Sequence, residues 1–395
     1  MPADPMNDPA PQPRRIRLLA VAGARPNFMK IAPLMKELLR RADRFEPILV
    51  HTGQHYDQAM SESFFRDLAI PEPDVNLGVG SGTHAEQTAQ VLVAIEKLLL
   101  ERRPDVLLVV GDVNSTIAAT LAAVKLHIPV AHVESGLRSG DRAMPEEINR
   151  ILTDAVSDWL FTTEPAAEAN LLREGVAPER IHFVGNVMID TLLAHRERAR
   201  ALDTLDRLGL VPGGYAVLTL HRPSNVDSAD QLRSLFGVLS RLGERLPVVF
   251  PVHPRTRAAI ENNLKGERIH LRMTEPLGYL EFLRLLMDAQ MVLTDSGGIQ
   301  EETTALGVPC LTLRDSTERP VTVSEGTNTI VGTDPGAIEI AIEKQLARKT
   351  TASKRPALWD GQAAVRIVEI LERDLRRRIE APAAGGAAAV ANEKR

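Results

Sequence analysis

Asp105-Val-Leu-Leu-Val-Val-Gly-Asp112, a helical stretch over residues 116–127, and then Ile128-Pro-Val-Ala-His-Val-Glu134 decide the fold. The outer segments are short, unbroken apolar runs, the pattern of parallel strands covered by helices on both faces. Between them Ala, Leu and Val recur at helical spacing. A strand, a helix and a second strand of this kind form a right-handed unit with parallel strands. Asp112 and Glu134 therefore emerge at the same carboxyl edge of one sheet, where open α/β folds place their ligand crevice. Met144-Pro-Glu-Glu-Ile-Asn-Arg150 adds a third acidic position. Three carboxylate positions at one crevice point to proton transfer. Each also has a plainer role: Asp112 suits a helix entry, and acidic residues after Pro145 favour the helix dipole. Glu134 is harder to explain that way, because it ends an apolar strand and opens the loop Ser-Gly-Leu-Arg-Ser-Gly.

Outward from this unit, strands expected over residues 17–22, 47–50, 106–110, 130–133 and 182–184 alternate with helical stretches, the sign of a parallel sheet in an α/β fold. A break follows Gly185-Asn186, where a charged helical segment over 194–208 leads to a second series over 215–220, 248–252, 269–272, 291–294 and 309–313. The two series echo one another: Met291-Val-Leu-Thr-Asp295, a helix, then Leu306-Gly-Val-Pro-Cys310 repeats the strand, Asp, helix and Pro-turn order around Asp112. The expected architecture is two Rossmann-like domains facing across a cleft, over 15–185 and 186–362. A last amphipathic helix over 363–378 crosses back to the first domain, and residues 1–14 and 379–395 form tails.

Composition narrows the function. The chain has 395 residues, 44% hydrophobic and 25% charged, with a net charge of -5. That balance is ordinary for a globular protein and gives no basic surplus for nucleic acid. Cys310 is the only cysteine, so no internal disulfide forms, and a cytoplasmic setting is expected. The amino terminus has no basic start or apolar core of a signal peptide, and no apolar run is long enough to span a bilayer.

Thr294-Asp-Ser-Gly-Gly-Ile-Gln-Glu-Glu302 is the best binding signal. Ser296 can cap the following helix, and Gly297 and Gly298 leave its free N–H groups open to a diphosphate. Glu302, one turn on, is placed for ribose hydroxyls; a plain capped turn is the alternative. His221 and Arg222 end the first strand of the second half, Arg25 and Lys30 follow the first strand of the chain, and Arg319 comes from the second domain, all as phosphate-binding candidates. No G-x-G-x-x-G follows the first strand and no P-loop is present, which argues against a tightly held dinucleotide and against P-loop chemistry. His51, His55 and Asp57 do not share a helical face, so no metal site is expected.

These segments, together with Gly23-Ala-Arg-Pro26, Thr52-Gly-Gln-His-Tyr-Asp57, His132-Val-Glu-Ser-Gly-Leu-Arg138, Pro251-Val-His-Pro254 and Thr317-Glu-Arg-Pro320, resemble the non-hydrolysing UDP-N-acetylglucosamine 2-epimerases over about residues 16–375. The resemblance implies a glycosyltransferase-B architecture, a homodimer, no cofactor, and interconversion of UDP-N-acetylglucosamine and UDP-N-acetylmannosamine. By it, Asp112, Glu134, Glu146 and His221 occupy catalytic positions. Arg25, Ser296, Gly297, Gly298, Glu302 and Arg319 fall where the family holds UDP, and Gln54, His55 and His253 match a regulatory pocket for a second UDP-sugar; Lys30, Arg138 and Arg222 are further candidates for binding the UDP-sugar. Two departures stand out. Glu86 replaces an Arg that many relatives use in that pocket, and the Ser139–Met144 loop has the short form found in relatives acting on diacetamido-uronic UDP-sugars. Such a uronate, or a glycosyltransferase reaction on the same architecture, are the competing readings.

Overall fold

A computed structural model of the chain describes residues 14–53, 67–68, 70–347 and 354–380. The first sheet contains β1 (Ile16–Ala22), β2 (Phe45–His51), β3 (Val75–Asn76), β4 (Val106–Val110), β5 (Val130–Ser135), β6 (Trp159–Thr162) and β7 (Ile181–Phe183). The second contains β8 (Ala216–Thr219), β9 (Val248–Pro251), β10 (Arg272–Thr274), β11 (Met291–Thr294), β12 (Cys310–Thr312) and β13 (Asn328–Ile330). Pairing is parallel, in the orders β3-β2-β1-β4-β5-β6-β7 and β10-β9-β8-β11-β12-β13.

Both orders reverse beside their first strand, between β1 and β4 and between β8 and β11. At such a reversal the flanking loops splay apart and leave a crevice at the carboxyl ends. The chain puts its motifs there: Gly23 to Lys30 and Gly111-Asp112 in one lobe, His221-Arg222 and Asp295 to Gly298 in the other. The central strands are the ones the sequence announces, because Val106 to Val110 are all buried and so carry apolar residues on both faces.

The lobes share a core. Val187–Arg200, capped by the Asn186 side chain, packs on the helix Arg25–Arg40 and on Tyr279–Met287 of the second lobe. Thr191 Oγ1 donates to Met29 C=O across that seam at 2.6 Å. The carboxyl-terminal helix Ala363–Glu380 crosses back and buries Ile367, Val368, Leu371 and Leu375 in the apolar cluster of β1 and Arg25–Arg40. Asp190 holds its start by accepting the N–H groups of Ala363 and Ala364 at 3.2 and 2.8 Å. Burial pushes the Asp190 carboxyl up to about 6.

Some expected elements shift. The helix after β4 is Asn114–Lys125, starting two residues before 116, since Asn114 is held in a side-chain network. The segment expected as a strand over 269–272 pairs over Arg272–Thr274 instead, at the edge of the second sheet. The charged helix expected over 194–208 is two elements, Val187–Arg200 and Thr204–Arg207.

Candidate active site

In the first lobe the chain is bent at the end of β5. The pairing of β5 with β6 slips between Val133 and Ser135, and Glu134 takes a φ of 70°. A left-handed carboxylic residue at a bulge is a strained, re-aimed side chain, which costs about 1–3 kcal/mol and needs its surroundings to hold it. Here two cations do so. Glu134 Oε2 lies 2.7 Å from Lys30 Nζ, and Glu134 Oε1 accepts from Arg319 Nη2 at 3.0 Å, with the side chain 2% exposed. Burial pushes its pKa up, but Lys30 and Arg319 outweigh this and hold it below the ordinary carboxylate value.

Asp112 is partly open, with its side chain 22% exposed and ion-paired to Arg150. Asn149 Nδ2 donates to the Asp112 C=O at 2.9 Å. Arg150 also binds Glu147 at 2.8 Å, and Glu147 accepts the N–H groups of Ser139 and Gly140, both at 3.0 Å. Glu147 is thereby committed to the loop. Its neighbour Glu146 is half-buried and acts electrostatically on Arg222 of the second lobe.

The second lobe answers with a histidine and a helix start. Asp295, at the end of β11, is buried and its Oδ1 lies 2.9 Å from His221 Nδ1. Its Oδ2 also accepts the Arg222 N–H at 2.9 Å and Asn225 Nδ2 at 3.1 Å. Burial works against the ionised form, yet His221 and these donors keep Asp295 below its ordinary value. The His221 side chain is 56% exposed, so the ring is oriented by one nitrogen and presents the other outward. Ser296 occupies the cap position of Gly297–Leu306 without a side-chain cap bond, contrary to the capping role expected of it, and no acidic residue occupies the first turn. That leaves a helix start capped neither by Ser296 nor by an acid of its own first turn, the arrangement that binds anions.

Arg319 joins the walls. Its Nη1 donates to Glu318 at 2.7 Å, its Nε pairs with Glu301 at 2.9 Å, and its Nη2 reaches Glu134. It lies directly over the helix start, since a Cβ added at Gly297 would stand 2.6 Å from Nη1. A Cβ at Gly298 would meet Met188 of Val187–Arg200 at 3.1 Å. Burial pushes Glu301 up to about 7, with Arg319 opposing and Glu134 adding to the rise. Burial and the nearby Glu301 charge push Glu302 up to about 8.

The other residues singled out in the sequence are placed as follows. Lys30 is paired with Glu134. The Arg138 guanidinium is held by Glu174 at 2.6 Å and by Asp154 at 2.8 Å. Glu302 is 4% exposed and hydrogen-bonded with Tyr279. His253 sits at the exposed turn between β9 and Pro254–Asn263. The Arg25 side chain, Gln54 and His55 lie outside the described residues, as does Asp57. His51 is buried against the Phe28 ring, 5.2 Å between centroids. Glu86 has a structural role, accepting the N–H and hydroxyl of Thr83 at 2.9 and 3.0 Å to close the cap of His84–Arg102. No described helix is long and apolar enough to cross a membrane.

The sequence profile of the UDP-N-acetylglucosamine 2-epimerase family matches residues 37–372. The chain belongs to this family. It is 44% identical over 362 residues to a UDP-N-acetylglucosamine 2-epimerase homolog of Methanococcus maripaludis, covering 90% of this chain and 99% of that one. It is 42% identical over 362 residues to the UDP-2,3-diacetamido-2,3-dideoxy-D-glucuronate 2-epimerase of Pseudomonas aeruginosa, covering 91% and 100%. The crystal structure of the Methanocaldococcus jannaschii UDP-GlcNAc 2-epimerase in complex with UDP-GlcNAc and UDP superposes with a TM-score of 0.83 at 42% identity, covering 91% of this chain and 100% of that one. The two-lobed α/β architecture of these epimerases is therefore the fold of this chain.

Within the candidate site, sequence reasoning passed over Arg150, Asp154, Asp295, Glu301 and Glu318. One signal was available for the first two. Glu146, Arg150 and Asp154 recur every fourth residue on Pro145–Val156, which places them along one side of a helix. Asp295 and Glu301 bind His221 and Asn186, 74 and 115 positions away, and no local pattern announces such pairs, while Glu318 binds its sequence neighbours Arg314 and Arg319.

Proposed function

We propose that the chain inverts C2 of a UDP-N-acetylhexosamine by eliminating UDP and adding it back. The C2 hydrogen is not next to a carbonyl, so a carboxylate cannot remove it at useful speed from the intact sugar. As the C1–O bond to UDP breaks, C1 becomes oxocarbenium-like and the C2 proton becomes acidic. Loss of that proton leaves a 2-acetamidoglucal and UDP. Re-formation of the C1–O bond, with a proton delivered to the other face of C2, gives the epimer. Bonds and electrons balance without a redox partner.

The observation that carries this reading is the meeting of Glu134 and Arg319 at 3.0 Å, a carboxylate of one lobe against the guanidinium over the other lobe's helix start. The N–H groups of Gly297–Leu306, with Arg319, Arg222 and His221, would stabilise the charge on the departing diphosphate. Asp112, Glu134 and Glu146 would stabilise C1 and move the proton. UDP-N-acetylglucosamine is the substrate expected from the maripaludis and jannaschii relatives. The 42% identity to the Pseudomonas enzyme, the same as to the jannaschii one, favours a diacetamido-uronate as the second reading.

Incubation with each UDP-sugar alone in deuterated water tests this. Deuterium at C2 with formation of the epimer is the expected result, and the sugar that reacts fastest identifies the substrate. An inert C2 in every sugar would sink the reading, and release of free sugar with UDP would replace it by a hydrolytic reaction. In a working enzyme Asp112→Asn, Glu134→Gln and Glu146→Gln should each lower kcat by about 100-fold or more while UDP still binds.

A further inference from the structure

Beneath the first-lobe loops lies a buried pair that the proposed reaction does not use. His132 and Asp154 are both 0% exposed. His132 Nδ1 is 2.7 Å from Asp154 Oδ1, and its Nε2 is 2.8 Å from the Gly111 carbonyl oxygen. Gly111, at φ 68°, immediately precedes Asp112, and its N–H is held by Val133 C=O at 3.0 Å. The other Asp154 oxygen accepts the Gly136 N–H at 3.0 Å and meets Arg138 at 2.8 Å. Gly136, at φ 78°, closes the turn that carries Glu134, and a Cβ there would stand 2.5 Å from the Ala167 oxygen. Asn170 Nδ2 fixes the next peptide, donating to the Gly136 C=O at 2.9 Å.

The ring and the carboxylate thus reach from the turn bearing Asp112 to the turn bearing Glu134. The helix of Asp154, Pro145–Val156, also bears Glu146 and the Arg150 that pairs with Asp112. Burial pushes the Asp154 pKa up, and His132 and Arg138 hold it down. A buried ionic pair gains little stability over a well-packed apolar pair of the same size. What an apolar pair would lack is direction: it has no bonds to hold the Gly111 carbonyl and the Gly136 N–H at once. The strained Glu134 backbone needs such over-determined surroundings.

We infer that His132 and Asp154 are positioning residues that fix the spacing of Asp112 and Glu134 about C2 of the sugar. This rests on the C2-epimerisation reading. Loss of the pair leaves the UDP-binding wall intact and lets the two carboxylates drift, which separates kcat from binding.

The test uses the full chain in deuterated water, with Asp154→Asn and His132→Asn beside the wild type. Asp154→Asn weakens both arms of the brace. His132→Asn keeps Asp154 on Gly136 and Arg138 and cuts only the bridge to Gly111. Each variant should lose about 100-fold in kcat, the scale of a misplaced reacting group, with KM and UDP affinity within about twofold of wild type. The ratio of deuterium in recovered substrate to deuterium in epimer should also shift, because return and inversion depend on different carboxylates. A purely structural lesion would lower both deuterated products together and leave the ratio alone. Unchanged kcat, an unchanged ratio, or failure of both variants to fold would overturn the inference. A wild type that exchanges no C2 hydrogen would instead sink the reaction on which it rests.

Discussion

Glu134 in the first lobe and Glu301 in the second are almost equally enclosed, at 2% and 0% exposed, and both touch Arg319. Their pKa values nevertheless move in opposite directions, Glu134 down and Glu301 up to about 7. The difference lies in the rest of the company each keeps. Glu134 has a second cation, Lys30, at 2.7 Å. The other partner of Glu301 is the neutral amide of Asn186, at 2.8 Å. Next to it stand two more acids, Glu302 and Glu164, each pushed up to about 8 by burial first and then by Glu301 itself. Burial sets the cost of charge in both lobes, and the number of cations in contact decides whether it is met. The outcome suits the proposed chemistry: an ionised carboxylate on the side that moves a proton, and acids that can be neutral on the side that would receive a diphosphate.

Removing the shared cation is the hardest blow to that contrast. Arg319→Met strips a buried partner from Glu134, Glu301 and Glu318 together. Loss of one side of a buried ion pair costs about 3–5 kcal/mol, so urea unfolding at neutral pH should show a loss of that size, and UDP binding should fail with it. A loss under about 1 kcal/mol, the scale of a surface pair, would mean that the guanidinium does not hold the two lobes in the way described.

The second prediction opposes the lobes through pH. Glu302 rises from 4.5 to about 8 on folding, so the folded chain keeps its proton where the unfolded chain has lost it. Its contribution to stability is whole below pH 4.5 and is lost as the pH climbs through 8. Glu134 is lowered instead, so its contribution is present above 4.5 and disappears as the pH falls through the folded value. Glu302→Gln should therefore flatten the decline of stability toward alkaline pH, by at most about 1.4 kcal/mol per pH unit, and Glu134→Gln should flatten the acid limb. Denaturant midpoints measured across pH check both slopes. Slopes of the same sign would erase the distinction between the lobes.

The contrast also marks how far the sequence could be read. Strands with apolar residues on both faces, such as Val106–Val110 and Met291–Thr294, declare themselves because nothing else packs such runs. The reversal points follow from the order of these strands, and with them the cleft edges bearing Asp112, Glu134, His221 and Gly297. Edge strands were misplaced or missed. Arg272–Thr274 is half in solvent, Val75–Asn76 is two residues long, and neither has an apolar run to read. Partners were legible only where the helix repeat sets them, as in Glu147 and Arg150. That Lys30 binds Glu134, or that Arg138 turns to Glu174, depends on the tertiary approach of loops and on the bend at Val133. Conversely, the expectation that Ser296 caps its helix was sound chemistry that the fold does not use, since the Ser296 side chain makes no cap bond.

The smallest effect probes the acid that has no cation in contact. Tyr279, 5% exposed, is hydrogen-bonded with Glu302, the only group opposing the rise of that carboxyl. Burial first, and then the Glu302 charge, push the phenol well above its ordinary value, so it acts as a donor. Tyr279→Phe removes a bond that favours ionised Glu302 and should lift its pKa further above 8. The stability cost should be the net value of one hydrogen bond, about 0.5–1.5 kcal/mol. The carboxyl stretch in infrared spectra, with Glu302→Gln to assign it, reports the titration, and urea unfolding reports the cost. A hydroxyl brings no net charge, so this shift should be smaller than the shift of Glu134 in Arg319→Met. If the two were equal, hydrogen bonding would set these acids as strongly as cations do, and the opposite behaviour of Glu134 and Glu301 would need a different cause.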